Sequence, residues 1–317
     1  MGSPHGAAEC AWRLGRERGS GVHRVVNGAA CVADAERQSA RVLRAGSSEY
    51  PRGLNDLADA PPAVWVIGPG LASRERCIAL VGSRAASAYG AAFTRRLARD
   101  LCGAGFTVVS GLARGIDAAA HAGALEAGGR TIAVVPSGLD CITPPGHGLL
   151  AADIARHGAL LSERESGPPF GRGAFVKRNR LIAALSAVTV VVEAAERSGA
   201  LSTASAARAL GRPVLAVPGD VDRPTALGTL QLLREGARPC GGAGDVLGAL
   251  PASAATADES PRARLAAALG EEERTLEQLA SAAGLSPGEA MAELLSLEWA
   301  GIARALPGQR WRRGGAR

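Results

Sequence analysis

Lysine is almost missing from this chain. Of 36 basic residues only Lys177 is a lysine, and the rest are arginine. Aromatic residues are also scarce, at 3% of 317 residues, with four phenylalanines among them. A sequence dense in Ala, Gly, Leu and Arg reads this way under a biased coding composition. The formal net charge of +6 and the pI near 9.4 therefore favour a polyanionic partner only mildly. The six cysteines (Cys10, Cys31, Cys77, Cys102, Cys141 and Cys240) contain no CxxC pair. That spacing argues against a zinc ribbon or a disulfide framework and for a reducing compartment. No apolar run approaches the roughly 20 residues of a membrane span, and no secretory h-region is present. A cytoplasmic location without a membrane partner is expected. No GxGxxG follows the first strand of the regular region, and no GxxxxGK[ST] occurs, which disfavours NAD and P-loop chemistry. Neither a Ser-His-Asp order nor a metal-ligand spacing emerges, so no cofactor and no metal are expected.

What is present is a strong alternation. Hydrophobic residues make up 47% of the chain, enough for a full core and too much for wholesale disorder. Short runs rich in Val and Ile lie at 77–81, 106–109, 131–135, 159–161, 188–192 and 213–217. Helical patterns lie between and after them, at about 87–102, 115–127, 147–157, 178–186, 199–210 and 227–235. Runs apolar on both faces suit buried parallel strands, and the alternation predicts a doubly wound, mainly parallel α/β sheet with right-handed crossovers. Residues 63–68 read as a lead-in strand. Residues 1–48 read as irregular, 49–250 as the α/β domain, and 251–263, rich in small residues with two prolines, as a linker. The tail 264–317 reads as helices at 264–270, 275–283 and 287–299 followed by a basic hairpin at 301–313, the pattern of a small winged-helix domain. Thr275 and Gln278 fit a capping box.

Ligands of such sheets bind at the carboxyl ends of the strands. The loops there are Gly82-Ser83-Arg84 with Ser87, then Ser110-Gly111 with Arg114, Pro136-Ser137-Gly138, Ser162-Glu163, Glu193 with Ser198-Gly199 and Thr203, and Pro218-Gly219-Asp220. Glycines admit a close ligand, helix starts offer N–H and hydroxyl donors, and arginine forks suit phosphate. Any one of these loops is ordinary turn chemistry; together in one chain they describe an anion-binding rim. Residues 170–180 add a dense basic stretch with two of the four phenylalanines, Phe170 and Phe175, and the single lysine. An aromatic beside cations is how single-stranded nucleic acid is held. Asp117 and His121 share a helix face and form a candidate dyad, though an Asp supporting a helix start beside a packed His is the commoner arrangement. Glu193 is a candidate acid/base or a structural partner.

This ordered series resembles the DNA-processing protein A family (DprA, also called Smf) over about residues 50–250. The matching pieces are Gly82-Ser83-Arg84 with Ser87, Tyr89 and Gly90, the run from Ser110 to His121, Leu161-Ser162-Glu163, Arg178-Asn179-Arg180, Val190 to Glu193, Ser198-Gly199 with Thr203-Ala204, and Pro218-Gly219. The resemblance implies an extended Rossmann-like fold with a winged-helix appendage and a homodimer that binds single-stranded DNA. It further implies loading of the RecA recombinase in natural transformation, without enzymatic turnover. Carried over residue by residue, the DNA-binding set is Ser83, Arg84, Ser87, Gly111, Arg114, Phe175, Lys177, Arg178, Asn179, Arg180, Ser198, Gly199 and Thr203. Three features depart from the family pattern: residues 1–48 show no N-terminal helical domain, Thr143-Pro144 replaces the usual Tyr-Pro, and Gly228 to Leu233 lacks an Asn-rich turn. The rival reading is a nucleoside-monophosphate phosphoribohydrolase, with Arg114 and the helix at Gly199 on the phosphate and Glu193 as acid/base. Such enzymes carry a Pro-Gly-Gly-x-Gly-Thr loop, which this chain lacks. A transcription factor reading is weaker still, because Glu289, Glu293 and Glu298 make the would-be recognition helix acidic.

Overall fold

The computed structural model describes residues 40–171, 173–250, 265–266, 268–270, 272–299, 302–308 and 310–314. The linker expected at 251–263 lies outside the described residues, as do most of the segment 1–48 and part of the helix expected at 264–270.

Among the described residues, nine strands form the main sheet. They are β1 (Arg41–Arg44), β2 (Ala63–Ile67), β3 (Cys77–Val81), β4 (Thr107–Ser110), β5 (Thr131–Val135), β6 (Ala159–Ser162), β7 (Val188–Val191), β8 (Val214–Ala216) and β9 (Arg238–Pro239). Their spatial order is β1-β2-β6-β5-β4-β3-β7-β8-β9. The six pairings from β6 across to β9 are all parallel, and β1–β2 and β2–β6 are antiparallel. Every residue of β3 to β8 is buried, which is what helices on both faces require of Val- and Ile-rich runs. The helices are α1 (Ala88–Gly103), α2 (Ile116–Glu126), α3 (Gly148–His157), α4 (Gly173–Ala184), α5 (Ala200–Ala209), α6 (Leu227–Arg234) and α7 (Ala243–Leu247). Separate apolar clusters fill the two faces, one around Val109, Val134, Leu181 and Val191, the other around Ile78, Leu97, Leu101 and Val190.

Strand order turns back between β3 and β7. From β3 the chain winds outward through β4, β5 and β6, then crosses to β7 and winds the other way. Crossovers leave β3 and β7 on opposite faces, so their carboxyl ends frame a crevice at this switch point. That fixes where Gly82-Ser83-Arg84 and the loop from Glu193 to Gly199 must meet.

Two local expectations change. The stretch read as irregular ends in a strand, β1, paired with β2 from Arg41↔Val66 to Arg44↔Ala63. The helix expected from 178 begins five residues earlier, at Gly173.

The C-terminal residues build a second, three-stranded sheet in the order β10-β12-β11, from Arg274–Thr275, Arg310–Arg313 and Ala303–Leu306. Helices α8 (Leu276–Ala283) and α9 (Pro287–Trp299) pack on it. Its core joins Leu276, Leu279, Ala290, Leu294, Leu297 and Trp311. The capping box is formed: Thr275 N–H donates to Gln278 Oε1 at 2.9 Å, and Gln278 N–H donates to Thr275 Oγ at 3.3 Å. Gly284 ends α8 in the left-handed conformation, φ 62°. Helices on a small sheet ending in a hairpin are a winged-helix arrangement.

Candidate nucleic-acid interface

A cleft of about 550 Å³ opens at the switch point. Its lining includes eight residues of the expected set: Ser83, Arg84, Phe175, Arg178, Asn179, Ser198, Gly199 and Thr203. They come from three chain segments that only the strand order brings together.

The loop after β3 is held from both sides. Ser83 N–H donates to the Glu193 carbonyl at 2.7 Å, and Ile116 N–H donates to the Ser83 carbonyl at 3.1 Å. Gly115, at φ 78°, passes so close that a Cβ there would lie 2.3 Å from the Ser83 carbonyl oxygen. Only glycine fits that conformation and that approach. Arg84 then projects from a rigid loop, exposed, with its guanidinium 4.6 Å from the centroid of the Phe175 ring. Cation and ring thus form one lip of the cleft. Opposite them, Ser198 Oγ accepts from Ala200 N–H at 3.3 Å. A Cβ on Gly199 would meet nothing within 4 Å, so the start of α5 is open to a ligand.

Arg178 is different. It is 5% exposed. One Nη donates to the carbonyls of Gly111 and Val134, and Nε donates to Asn179 Oδ1 at 3.1 Å. Its guanidinium lies flat on Gly111, where a Cβ would come within 2.5 Å of it. Burial pushes its pKa down to about 10, with Arg84 pushing the same way and Asp117 opposing. It remains a cation at neutral pH, so it supplies the cleft floor with charge while its mapped donors serve the fold. Asn179 is also committed, its amide donating to the Gly199 carbonyl and to Ser202 Oγ, each at 2.9 Å. It pins the start of α5 to α4.

Five members of the expected set lie outside the cleft lining. Ser87 caps α1, its hydroxyl accepting from Gly90 N–H at 3.0 Å. Gly111 is covered by Arg178, as above. Arg114 is exposed on the loop that wraps Ser83. Lys177 points to the other side of α4, 3.5 Å from Glu163. Arg180 is bound into ion pairs with Glu163 at 2.7 Å and Asp59 at 2.9 Å. Conversely, the exposed Arg197 lines the cleft and was not singled out from the sequence. Its place in the loop after β7, one residue before Ser198, is the signal that could have found it.

The two candidate catalytic groups have structural employment. His121 is fully buried, with Nδ1 2.7 Å from Thr131 Oγ, while that hydroxyl donates to the Val108 carbonyl at 2.8 Å. The imidazole is therefore the donor, and it is neutral: burial, then Arg178, hold its pKa down to about 3. Asp117 accepts from Ala113 N–H at 3.3 Å, and burial raises its pKa despite the nearby Arg178. Glu193 accepts from both Ser87 N–H and Ser87 Oγ–H, and its carboxyl fills the space a Cβ on Gly90 would need. Leu112, buried at φ 59°, turns the β4 loop, and His147 Nδ1 donates to its carbonyl at 2.9 Å. Among the described residues no cluster of His, Cys, Asp or Glu is arranged to hold a metal ion. No helix among them is long and apolar enough to cross a membrane.

Residues 41–251 match the family model of DNA recombination-mediator protein A, which spans more than half the chain. The chain belongs to this family. Residues 249–309 match the DprA winged helix domain. The DprA-type chain is 41% identical over 268 residues to a putative DNA processing protein DprA of Mycobacterium tuberculosis, covering 80% of this chain and 69% of that protein. It is 36% identical over 289 residues to protein Smf of Escherichia coli, covering 86% and 77%. Among solved structures it resembles DprA from Streptococcus pneumoniae, with a TM-score of 0.63 at 34% identity over 69% of this chain and 78% of that one. It also resembles DprA from Helicobacter pylori, whose structure describes a single-stranded DNA binding mode, with a TM-score of 0.58 at 30% identity over 66% and 94%.

Proposed function

We propose that this chain is a single-stranded DNA-binding recombination mediator that works by binding rather than turnover. The observation that carries the reading is the Arg84–Phe175 lip over a cleft whose floor is a buried cation. A base stacks beside the ring, phosphates run past Arg84 and Arg197 toward the open start of α5, and Arg178 sets the potential without contacting the strand. The described binding mode of the Helicobacter pylori relative supports the same ligand. A homodimer presents two such clefts, and the strand they hold passes to a RecA-type recombinase in the cytoplasm; both steps are what family membership implies.

The hydrolase alternative is disfavoured by Glu193, whose carboxylate is committed to holding Ser87, the cap of α1, through its N–H and its hydroxyl.

The test is equilibrium binding of an unstructured oligonucleotide across a salt series. Arg84→Ala should weaken binding about tenfold and reduce the slope of log K against log salt by about 0.7, one phosphate contact. Phe175→Ala should cost about 1–3 kcal/mol with the slope unchanged. Unaltered affinity in both variants rejects the cleft. Robust release of free base from nucleoside monophosphates would revive the hydrolase.

A further inference from the structure

The cleft has a neighbour on the other side of α4. A second hollow of about 230 Å³ is lined by Pro136, Glu163, Arg164, Phe170, Lys177 and Arg178, among others. Arg178 borders both, so α4 is the wall between them. Helical spacing makes this division. Ala174, Lys177, Arg178 and Leu181 fall on one face at i, i+3, i+4 and i+7, and Phe175, Asn179 and Ile182 fall on the adjoining face.

The four phenylalanines sort in a parallel way. Phe93 and Phe106 are core residues, 3% and 7% exposed. Phe175 stands on the lip of the first cleft, and Phe170, 77% exposed, stands on the second. An arginine lies against each of the four rings, so that contact alone distinguishes nothing. Position does: Phe170 and Phe175 line the two clefts, and their arginines are the nearer ones, at 3.8 Å for Arg164 and 4.6 Å for Arg84, against 5.3 Å in the core pairs. Arg164 sits on one face of the Phe170 ring and limits its motion. The other face remains open, and an ordered ring with an open face is a stacking platform.

The partners of its charged groups identify what would stack there. Lys177 faces Glu163 at 3.5 Å, and the same carboxylate takes Arg180 at 2.7 Å. Arg164 lies on the Phe170 ring, and Arg178 gives its hydrogen bonds to the Gly111 and Val134 carbonyls and to Asn179, so the cations of this hollow are already engaged. A neutral planar ring suits it better than a phosphate.

We propose that Phe170, held by Arg164, is a second base-stacking subsite, and that a bound single strand crosses the start of α4 from the Arg84–Phe175 cleft to reach it. The crossing spans one helix, about 10 Å. This inference rests on the single-strand reading above and adds to it a binding footprint and a residue.

The experiment compares oligothymidylates of about four and about twelve nucleotides, a range that brackets compact single-strand sites. Phe170→Ala should lower affinity for the longer strand about tenfold and leave the shorter one, which fits the first cleft alone, within about twofold. Phe170 is exposed, so the substitution leaves the fold intact. Phe170→Trp should keep full affinity, and its added indole emission should be quenched when the longer strand binds. Unchanged affinity for the longer strand in Phe170→Ala, equal losses on both lengths, or no quenching in Phe170→Trp would each overturn the subsite. Failure of the unaltered protein to bind either strand, or full affinity in both Arg84→Ala and Phe175→Ala, would instead overturn the first-cleft reading.

Discussion

Arg84 and Arg178 border the same cleft and do opposite work. Arg84 is exposed, reaches over a ring and keeps its fork free for a ligand. Arg178 is buried and gives its mapped hydrogen bonds to two carbonyls and an amide oxygen. Behind it lies a layer in which an Asp117 oxygen, His121 Nδ1 and the Thr131 hydroxyl are likewise bonded inside the protein. The contrast separates two uses of one residue type. A cation whose donors end on backbone carbonyls builds the wall of a site and lends it only potential; one whose donors end in solvent can meet a phosphate. Residue identity does not tell them apart, and the partners do.

The largest effect expected from this contrast is on stability. Arg178→Ala leaves the Gly111 and Val134 carbonyls short of a donor, opens a void over Gly111 and removes the cation nearest buried Asp117. The loss should be about 3–5 kcal/mol in denaturant unfolding, while Arg84→Ala should change stability by less than about 0.5 kcal/mol. Arg178→Lys should recover only part, since an ammonium cannot reproduce the fork. Equal stability losses in the two alanine variants would erase the distinction.

His121 offers a second break, through pH. Its pKa is held near 3 in the folded protein, against an ordinary value of 6.5. The unfolded chain therefore takes up the proton first as pH falls. The stabilising contribution is complete above about pH 6.5 and is lost progressively toward pH 3, a loss on the order of 3 kcal/mol by pH 4. Asp117 works against it, because its raised pKa makes the folded state the better proton acceptor in acid. Unfolding free energies measured from pH 7 to 4 should fall, and His121→Gln should flatten the dependence. An identical slope in that variant would mean that the buried layer carries no such titration.

Much of this architecture was legible because β3 to β8 are buried on both faces, and such strands must be continuous apolar runs whatever surrounds them. β1 was not, because it is an edge strand with only Leu43 buried, and its pairing with β2 fixes it more than its own pattern does. The sequence pattern puts the start of α4 late because Gly173 is a poor helix former; tertiary contact overrides it. At the site, the loops followed from strand ends alone. What the sequence does not announce is a partner distant along the chain. Nothing near Arg178 announces the carbonyls of Gly111 and Val134, 67 and 44 residues away. Nothing near Arg197 says that its loop faces Arg84.

The smallest effect concerns the one lysine. Its uniqueness and its place between Phe175 and Arg178 make it look like a ligand contact. Yet its side chain is 63% exposed on the far face of α4, and Glu163 balances it at 3.5 Å. An exposed pair of this kind is worth at most about 1 kcal/mol. Lys177→Ala should therefore shift stability by less than about 0.5 kcal/mol. It should weaken single-strand binding less than about threefold and alter the salt slope by well under the 0.7 expected of Arg84→Ala. A full unit-contact change in slope would mean that the strand displaces Glu163 and draws Lys177 to a phosphate. The pairing of Lys177 with Glu163 would then hold only for the unbound protein.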